Sequence, residues 1–307
     1  MKKICVMLLL LAVPVLGQQA APTPPLAESN MPVKLQAPTF ADVYCAGWIG
    51  AAISRTNYVA AGSETPDETL YSSGEFIFLH GTDFQQGGKL SIVRELKDPN
   101  KYEAYKGQHS AVRSLGQAYA DVAQAQVIEV RASIAIAKVD FSCQAIAPGD
   151  LAVTFQDRAI PTVPPTSHLQ MFPAPGAKTV GRIVMGKDFD VYLATGMKAY
   201  INAGSSQGLK VGDFLRAVRG LDPSEMDEAE RLSYKSPAGD DTQKDAPKYP
   251  KSQLKQLPRQ TVAELVVLNV TANTATAMVV TSFQSIHVGD SVEMEGAQET
   301  TAQAQTQ

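Results

Sequence analysis

The phrase Q-x-I-x-x-G-D occurs twice in this chain, at Gln144–Asp150 and at Gln284–Asp290, 140 positions apart. Sliding the sequence along itself by that interval aligns residues 122–150 with 262–290 without a gap, with 13 identities in 29 positions. Alanine and valine are common here and supply several matches cheaply; the closing phrase is not cheap. Repeats of solenoids run roughly 20 to 50 residues, so this longer period means tandem domains. The chain is expected to build one small domain twice. The competing reading is two similar hairpins without common ancestry.

The repeated segments read as strands. "ASIAIAKVDF" (Ala132–Phe141) alternates, with Ile134, Ile136 and Lys138 on one face and Ala135, Ala137 and Val139 on the other. "QTVAELVVLNV" (Gln260–Val270) and "TATAMVVTS" (Thr274–Ser282) are rich in β-branched and small apolar residues. Period-two alternation with such residues is the strand signal. Arg131–Ser133 and Thr271–Asn273 are short enough to be hairpin turns. Upstream, "AGWIG" (Ala46–Gly50) is matched to "VGRIV" (Val180–Val184), and "FQQGGKLSIVR" (Phe84–Arg94) to "SSQGLKVGDFLRAVR" (Ser205–Arg219). Each unit then runs as a G-x-I strand, a middle strand, a glycine turn, a strand, an insertion, two long strands, and a G-D turn into a last strand. The fold class is mostly β: two tandem homologous small domains of barrel or sandwich type.

The G-D pairs are turn chemistry. Gly149, Gly212 and Gly289 can take positive φ, and Asp150, Asp213 and Asp290 can accept hydrogen bonds from nearby backbone amides. A functional alternative makes Asp150 and Asp290 metal ligands or catalytic acids; backbone capping explains them more simply.

The domain plan follows. Residues 1–17 have a basic start at Lys2 and Lys3 and an apolar stretch, the pattern of a secretory signal peptide. The stretch is short for a membrane span, which needs roughly 20 residues. Residues 18–38 read as a disordered Pro/Ala-rich linker, 39–158 as the first β-domain, and 159–177 as a second Pro-rich linker. Residues 178–295 form the second β-domain, with an insertion at 221–258 in which "DPSEMDEAERLSY" (Asp222–Tyr234) is expected as a short helix. That insertion is either a partner-binding arm or a solvated loop. The tail, 296–307, has almost nothing to bury and is expected to be disordered. No later stretch is apolar enough to span a bilayer, so an exported protein, periplasmic or extracellular, is expected.

Loss of Cys5 with the signal leaves Cys45 and Cys143, and an even pair in an oxidising compartment suggests a disulfide. Buried free thiols are the alternative. A bridge requires Cα atoms within about 7 Å. On the local alignments, upstream for Cys45 and the 140-residue shift for Cys143, the equivalent positions are Thr179 and Phe283, which are then expected to be neighbours.

The formal net charge of −4 becomes more negative without Lys2 and Lys3. Nucleic acid is excluded as a partner class, since its binding needs clustered Lys and Arg. His80, His109, His168 and His287 occur in no H-E-x-x-H or close-cysteine spacing, and neither a nucleophile elbow nor a phosphate loop is present. No catalytic residue, metal ligand or cofactor motif is assigned. Asp188 and Asp190 would share a strand face, as a solvated pair. His287 is expected as an exposed loop residue. Trp48, the only tryptophan, is expected to pack against the disulfide; a sugar-stacking ligand platform is its functional alternative.

"AYINAGSSQGLKVGDFLRAVRG" together with "VAELVVLNVTANTATAMVVTSFQSIHVGDSVEM" resembles the C-terminal domain of the flagellar assembly protein T family. The resemblance rests on N-x-G-x-x-x-G-L-x-x-G-D, the paired strands and the I-x-x-G-D-x-V ending. It covers 199–294, and the first copy more weakly. Similar modules look like those of exported bacterial proteins carrying peptidoglycan-binding LysM domains. No LysM segment is present, nor the α/β N-terminal domains of the flagellar family. The resemblance implies a bacterial envelope β-module that makes contacts, with an envelope protein or cell-wall polymer as partner. The expected function is a non-enzymatic binding or assembly module. The alternatives are a hydrolase with an unrecognised carboxylate site, a glycan or peptidoglycan binder, and a subunit that self-assembles through exposed strand edges.

Overall fold

The structure, a computed structural model, describes residues 30–63, 70–173, 179–222 and 249–294. The signal peptide, linker residues 18–29, the helix expected beyond Asp222 and the tail lie outside the described residues. In chain order the elements are β1 (Asn30–Lys34), α1 (Phe40–Tyr44), β2 (Trp48–Gly50), β3 (Tyr58–Gly62), β4 (Phe76–His80), β5 (Lys89–Glu95), α2 (Gln108–Leu115), β6 (Gln117–Arg131), β7 (Ile134–Ser142) and β8 (Leu151–Thr154). They continue as β9 (Thr166–Gln170), β10 (Thr179–Gly186), β11 (Tyr192–Leu193), β12 (Lys198–Ile201), β13 (Phe214–Arg219), β14 (Gln260–Val270), β15 (Ala275–Ser282), β16 (Ile286–His287) and β17 (Ser291–Met294).

These strands close two six-stranded antiparallel barrels. Barrel one runs β3-β4-β7-β6-β5-β8 and returns to β3; barrel two runs β10-β12-β15-β14-β13-β17 and returns to β10. The two orders are the same. Alanine explains how six strands can close: Ala123, Ala125, Ala135 and Ala137 point into barrel one, as Ala217, Ala263, Ala275 and Ala277 point into barrel two. Small residues alternating with Val, Ile and Leu fill a narrow interior without a channel. The alternation separates two faces of β7, and the one carrying Ala135, Ala137 and Val139 is the inward one.

The duplication extends to irregularities. The β6–β7 ladder shifts register between Gln124 and Ala125 and between Val127 and Glu129. The β14–β15 ladder shifts between Glu264 and Leu265 and between Val267 and Asn269, each position 140 later. A β-bulge re-aims the side chains that follow it, so matching bulges keep the same faces inward in both copies.

One correspondence drawn from sequence is corrected. "AGWIG" is not the counterpart of "VGRIV". β10 closes barrel two, and the strand in that place in barrel one is β3: Val59 exchanges backbone hydrogen bonds with Gly149 and Asp150 as Ile183 does with Gly289 and Asp290. β2 instead adds to the outside of β6 as a seventh strand. The Cys45–Thr179 equivalence falls with that register. The two Pro-rich linkers also carry structure: β1 and β9 pair antiparallel over five residues, because their backbones can satisfy each other where neither has a barrel edge to join.

Residues 35–50 bridge the barrels. Thr39 and Asp42 form a capping box that starts α1. Leu35, Val43, Tyr44 and Ala46 pack on Val266, Leu268, Met278 and Val280, the outward residues of β14 and β15. Three carbonyls of the bridge accept side-chain hydrogen bonds from barrel two: Ala46 from Tyr200 (3.0 Å), Gly47 from Thr276 (2.9 Å) and Ile49 from Thr274 (2.6 Å). Toward barrel one the bridge is held by β2 and by the Cys45–Cys143 disulfide, whose Cα atoms are 5.5 Å apart.

Candidate functional site

A cleft of about 510 Å³ opens where the bridge meets both barrels. β2 supplies Trp48; β5 and β8 supply Ser91, Val153 and Thr154; the segment after β8 supplies Gln156–Ala159. Barrel two contributes Val211 and the end of β14, Leu268–Thr271. One wall is thus aromatic and aliphatic, and the rest offers hydroxyl, amide and carboxylate groups.

Several of these side chains are already engaged. Arg158 donates both terminal nitrogens to Asp121, at 2.8 and 2.9 Å, and one of them also to the Val43 carbonyl. Asp121 is buried on β6 and accepts a further hydrogen bond from the Gly47 amide at 2.8 Å. Tyr44 donates its hydroxyl to Asp157, and burial together with that carboxylate pushes the phenol above its ordinary pKa. Trp48 stacks with Tyr119 at 5.4 Å between ring centroids and lies 5.4 Å from the Arg158 guanidinium. It therefore forms a wall of the cleft, braced by an aromatic and a cation of its own chain. Ser91, Thr154, Gln156 and Asn269 complete a polar lining suited to reversible hydrogen bonding.

The G-D turns acquire partners that sequence reasoning missed. Gly149, Gly212 and Gly289 have φ of 92°, 92° and 118°. Asp150 accepts from the Ala147 amide, Asp213 from the Lys210 amide and Asp290 from the His287 amide, each at 2.8 Å. Asp150 is also gripped in bidentate fashion by Arg94, and Asp290 by Arg219, at 2.7–2.9 Å. The same arginines donate to the carbonyls of Ala145 and Ser285. A planar guanidinium matched to a carboxylate is the strong form of such a pair. The paired carboxylate holds Arg94 above its ordinary pKa. Both arginines end the aligned strings Phe84–Arg94 and Ser205–Arg219, which was the available signal.

The remaining candidates are dispersed. His287 is half-buried in β16, edge-on to Tyr192 at 4.8 Å, rather than an exposed loop residue, because β16 pairs with β11. Asp188 sits on a 3₁₀ turn with φ of 59° and pairs with Lys187 at 2.7 Å, so it shares no strand face with Asp190. His80 stacks on Tyr58, His168 lies on β9, and His109 lies near Asp98 and Glu103. Barrel two also buries an outward-facing row in register, Glu264–Arg216–Glu293 across β14, β13 and β17, each at most 2 % exposed, with Arg259 paired to Glu293. Among the described residues, no three His, Cys, Asp or Glu side chains gather as a metal site. No helix among them is long and apolar enough to cross a membrane. The chain matches no protein-family model and no curated protein.

Proposed function

We propose that this chain is an exported, non-enzymatic binding or assembly module of the bacterial cell envelope, and that the cleft between its barrels receives the partner. The observation that carries the reading is the bridge at residues 35–50, which holds two barrels against one polar cleft. The disulfide favours an oxidising compartment, where such bonds persist. Spare amide and hydroxyl groups beside an aromatic wall suit an extended polar partner, a polypeptide segment or a cell-wall glycan. The resemblance to the C-terminal domain of the flagellar assembly protein T family points to an envelope context in the same way. Closure of both barrels argues against assembly through open strand edges.

The test uses residues 18–307 as bait on bacterial envelope extract and on purified cell-wall sacculi, beside a Ser91→Trp/Asn269→Trp variant that fills the cleft. A partner retained by the parent and lost from the filled variant supports the reading. Retention on sacculi alone, again lost on filling, selects the glycan form and brings Trp48 forward. Equal retention by both proteins, or none by either, sinks it.

A further inference from the structure

The two barrels are equivalent, yet their G-D turns have different neighbours. In barrel two this place is occupied by the insertion between β5 and β6 of the first unit. Tyr105 of that insertion joins the barrel-two core cluster beside Ile183, Leu193 and Val288. Arg182 lies over its ring at 4.2 Å. A Cβ built on Gly289 would stand 3.1 Å from the same ring. Gln108, at the start of α2, is buried and donates to the Val184 carbonyl at 3.0 Å. The first unit therefore caps the second through its insertion.

Barrel one presents the same surface to solvent. Tyr58, Gly149, Asp150 and Arg94 occupy the places of Arg182, Gly289, Asp290 and Arg219, as the paired backbone hydrogen bonds and the twin Arg–Asp contacts fix. Here a Cβ on Gly149 meets no atom within 4 Å. Among the described residues the place is an open pocket of about 490 Å³, lined by those residues with Arg55, Glu95 and Pro148. The second unit carries its own insertion at the same point of the repeat, residues 221–258 between β13 and β14. It is longer than the first unit's insertion, and the described residues form two barrels, of which the second already has its G-D end capped. At its described ends, Leu221 and Tyr249 are exposed, Tyr249 by 50 %.

We propose that the G-D end of barrel one receives the β13–β14 insertion of a second copy, so that the chain associates head to tail. Each copy would repeat between molecules the contact that joins its own two units. A heterologous contact of this kind leads to a ring if the rotation closes and to a filament if it does not. The inference does not depend on the cleft or on an envelope partner, since it concerns the purified chain alone.

The test is sedimentation of purified residues 18–307 over a concentration series, beside Pro148→Trp. Pro148 is exposed on the rim, and the second barrel carries Val288 at that position, so the backbone there does not require proline. A benzophenone amino acid at position 148 maps the contact, and one at position 182 should crosslink to the first insertion within the same chain. The expected result is concentration-dependent association, weakened at least about tenfold by Pro148→Trp, the scale of a contact at an interface centre. Crosslinks from position 148 should fall between 221 and 258 of another copy. A far-ultraviolet circular dichroism spectrum like the parent's confirms that Pro148→Trp has folded. A monomer at every concentration, association unmoved by a folded Pro148→Trp, or crosslinks from 148 confined to its own chain would each overturn the proposal.

Discussion

At the scale of single residues, the barrels depend on charges placed against one another at low exposure. Asp290 is 6 % exposed and Arg219 19 %, whereas the twin pair has Arg94 at 33 %. Removing the cation leaves a carboxylate buried without its main partner, which typically costs about 3–5 kcal/mol. Arg219→Met is therefore expected to lower stability by about that amount in urea melts, and Arg94→Met by less, since water can reach Asp150's partner position. Equal losses would contradict the burial argument. A second residue-scale prediction concerns Asp42, which pairs with Lys198 at 2.5 Å. Burial pushes its carboxyl pKa up, but hydrogen bonds from Lys198 and Thr39 outweigh burial and hold it below the ordinary carboxylate value. A depressed folded pKa gives stability that is complete above the unfolded value and is lost as pH falls through the folded one. Asp42→Asn should flatten the acid limb of the stability profile below about pH 4, the ordinary range of an aspartate. An unchanged acid limb would leave that pair without energetic weight. The glycine and aspartate of each turn could be read from the repeated phrase; the arginines stand out only as the shared ends of two aligned strings, and spacing says nothing of their contact with aspartates 56 and 71 residues away.

At the scale of elements, the sequence was legible wherever a segment's own pattern decides its place. The two long strands, the division of β7 into two faces, and the hairpin and G-D turns all follow from local alternation and turn chemistry. The failures were elements placed by distant partners. "AGWIG" and "VGRIV" look alike, but β2 lies outside β6 while β10 closes a barrel; only the pairing of β3 with β8 separates the two cases. β1 and β9 come from segments whose prolines suggest linkers, and they become a ribbon because each finds the other across the chain between residues 34 and 166. The cleft was equally hidden: Trp48 stood out as a candidate, but its neighbours Asn269 and Leu268 come from the other unit. The bridge of residues 35–50 carries the element-scale prediction. Its bond to Cys143, the residue after β7, closes a loop of sequence separation 98. Replacing both cysteines by serine is expected to cost about 2–5 kcal/mol, the usual range for a native bridge. A loss below about 0.5 kcal/mol, the ordinary scatter of surface substitutions, would mean that β2 and its packing hold the bridge unaided.

At the scale of the whole molecule, the question is whether two barrels behave as one folding unit. Each has its own closed ladder and its own core, which by itself would allow independent unfolding. Against this stand the elements they share. Tyr105 of the first unit is part of the second barrel's core, and Val184, Met185 and Tyr200 of the second barrel are buried with Ile49 and Ala118 of the first unit. Unfolding barrel two alone would strip the bridge of its packing and leave Tyr105 in water. Fully exposing a buried side chain of that size costs on the order of 1.5–3 kcal/mol, and several are involved. The sum is a large part of the stability of a typical domain, about 5–15 kcal/mol. Heating in a calorimeter is therefore expected to give one transition, with calorimetric and van't Hoff enthalpies in agreement. Tyr105→Ala, made together with Thr274→Val and Thr276→Val, removes shared contacts while leaving both ladders intact. In that variant the van't Hoff enthalpy should fall toward half the calorimetric one as the barrels part. Two transitions already present in the unaltered chain would mean that the bridge joins the barrels without coupling them. The cleft would then open and close with their relative motion, and a partner seated in it should raise the temperature of both transitions together.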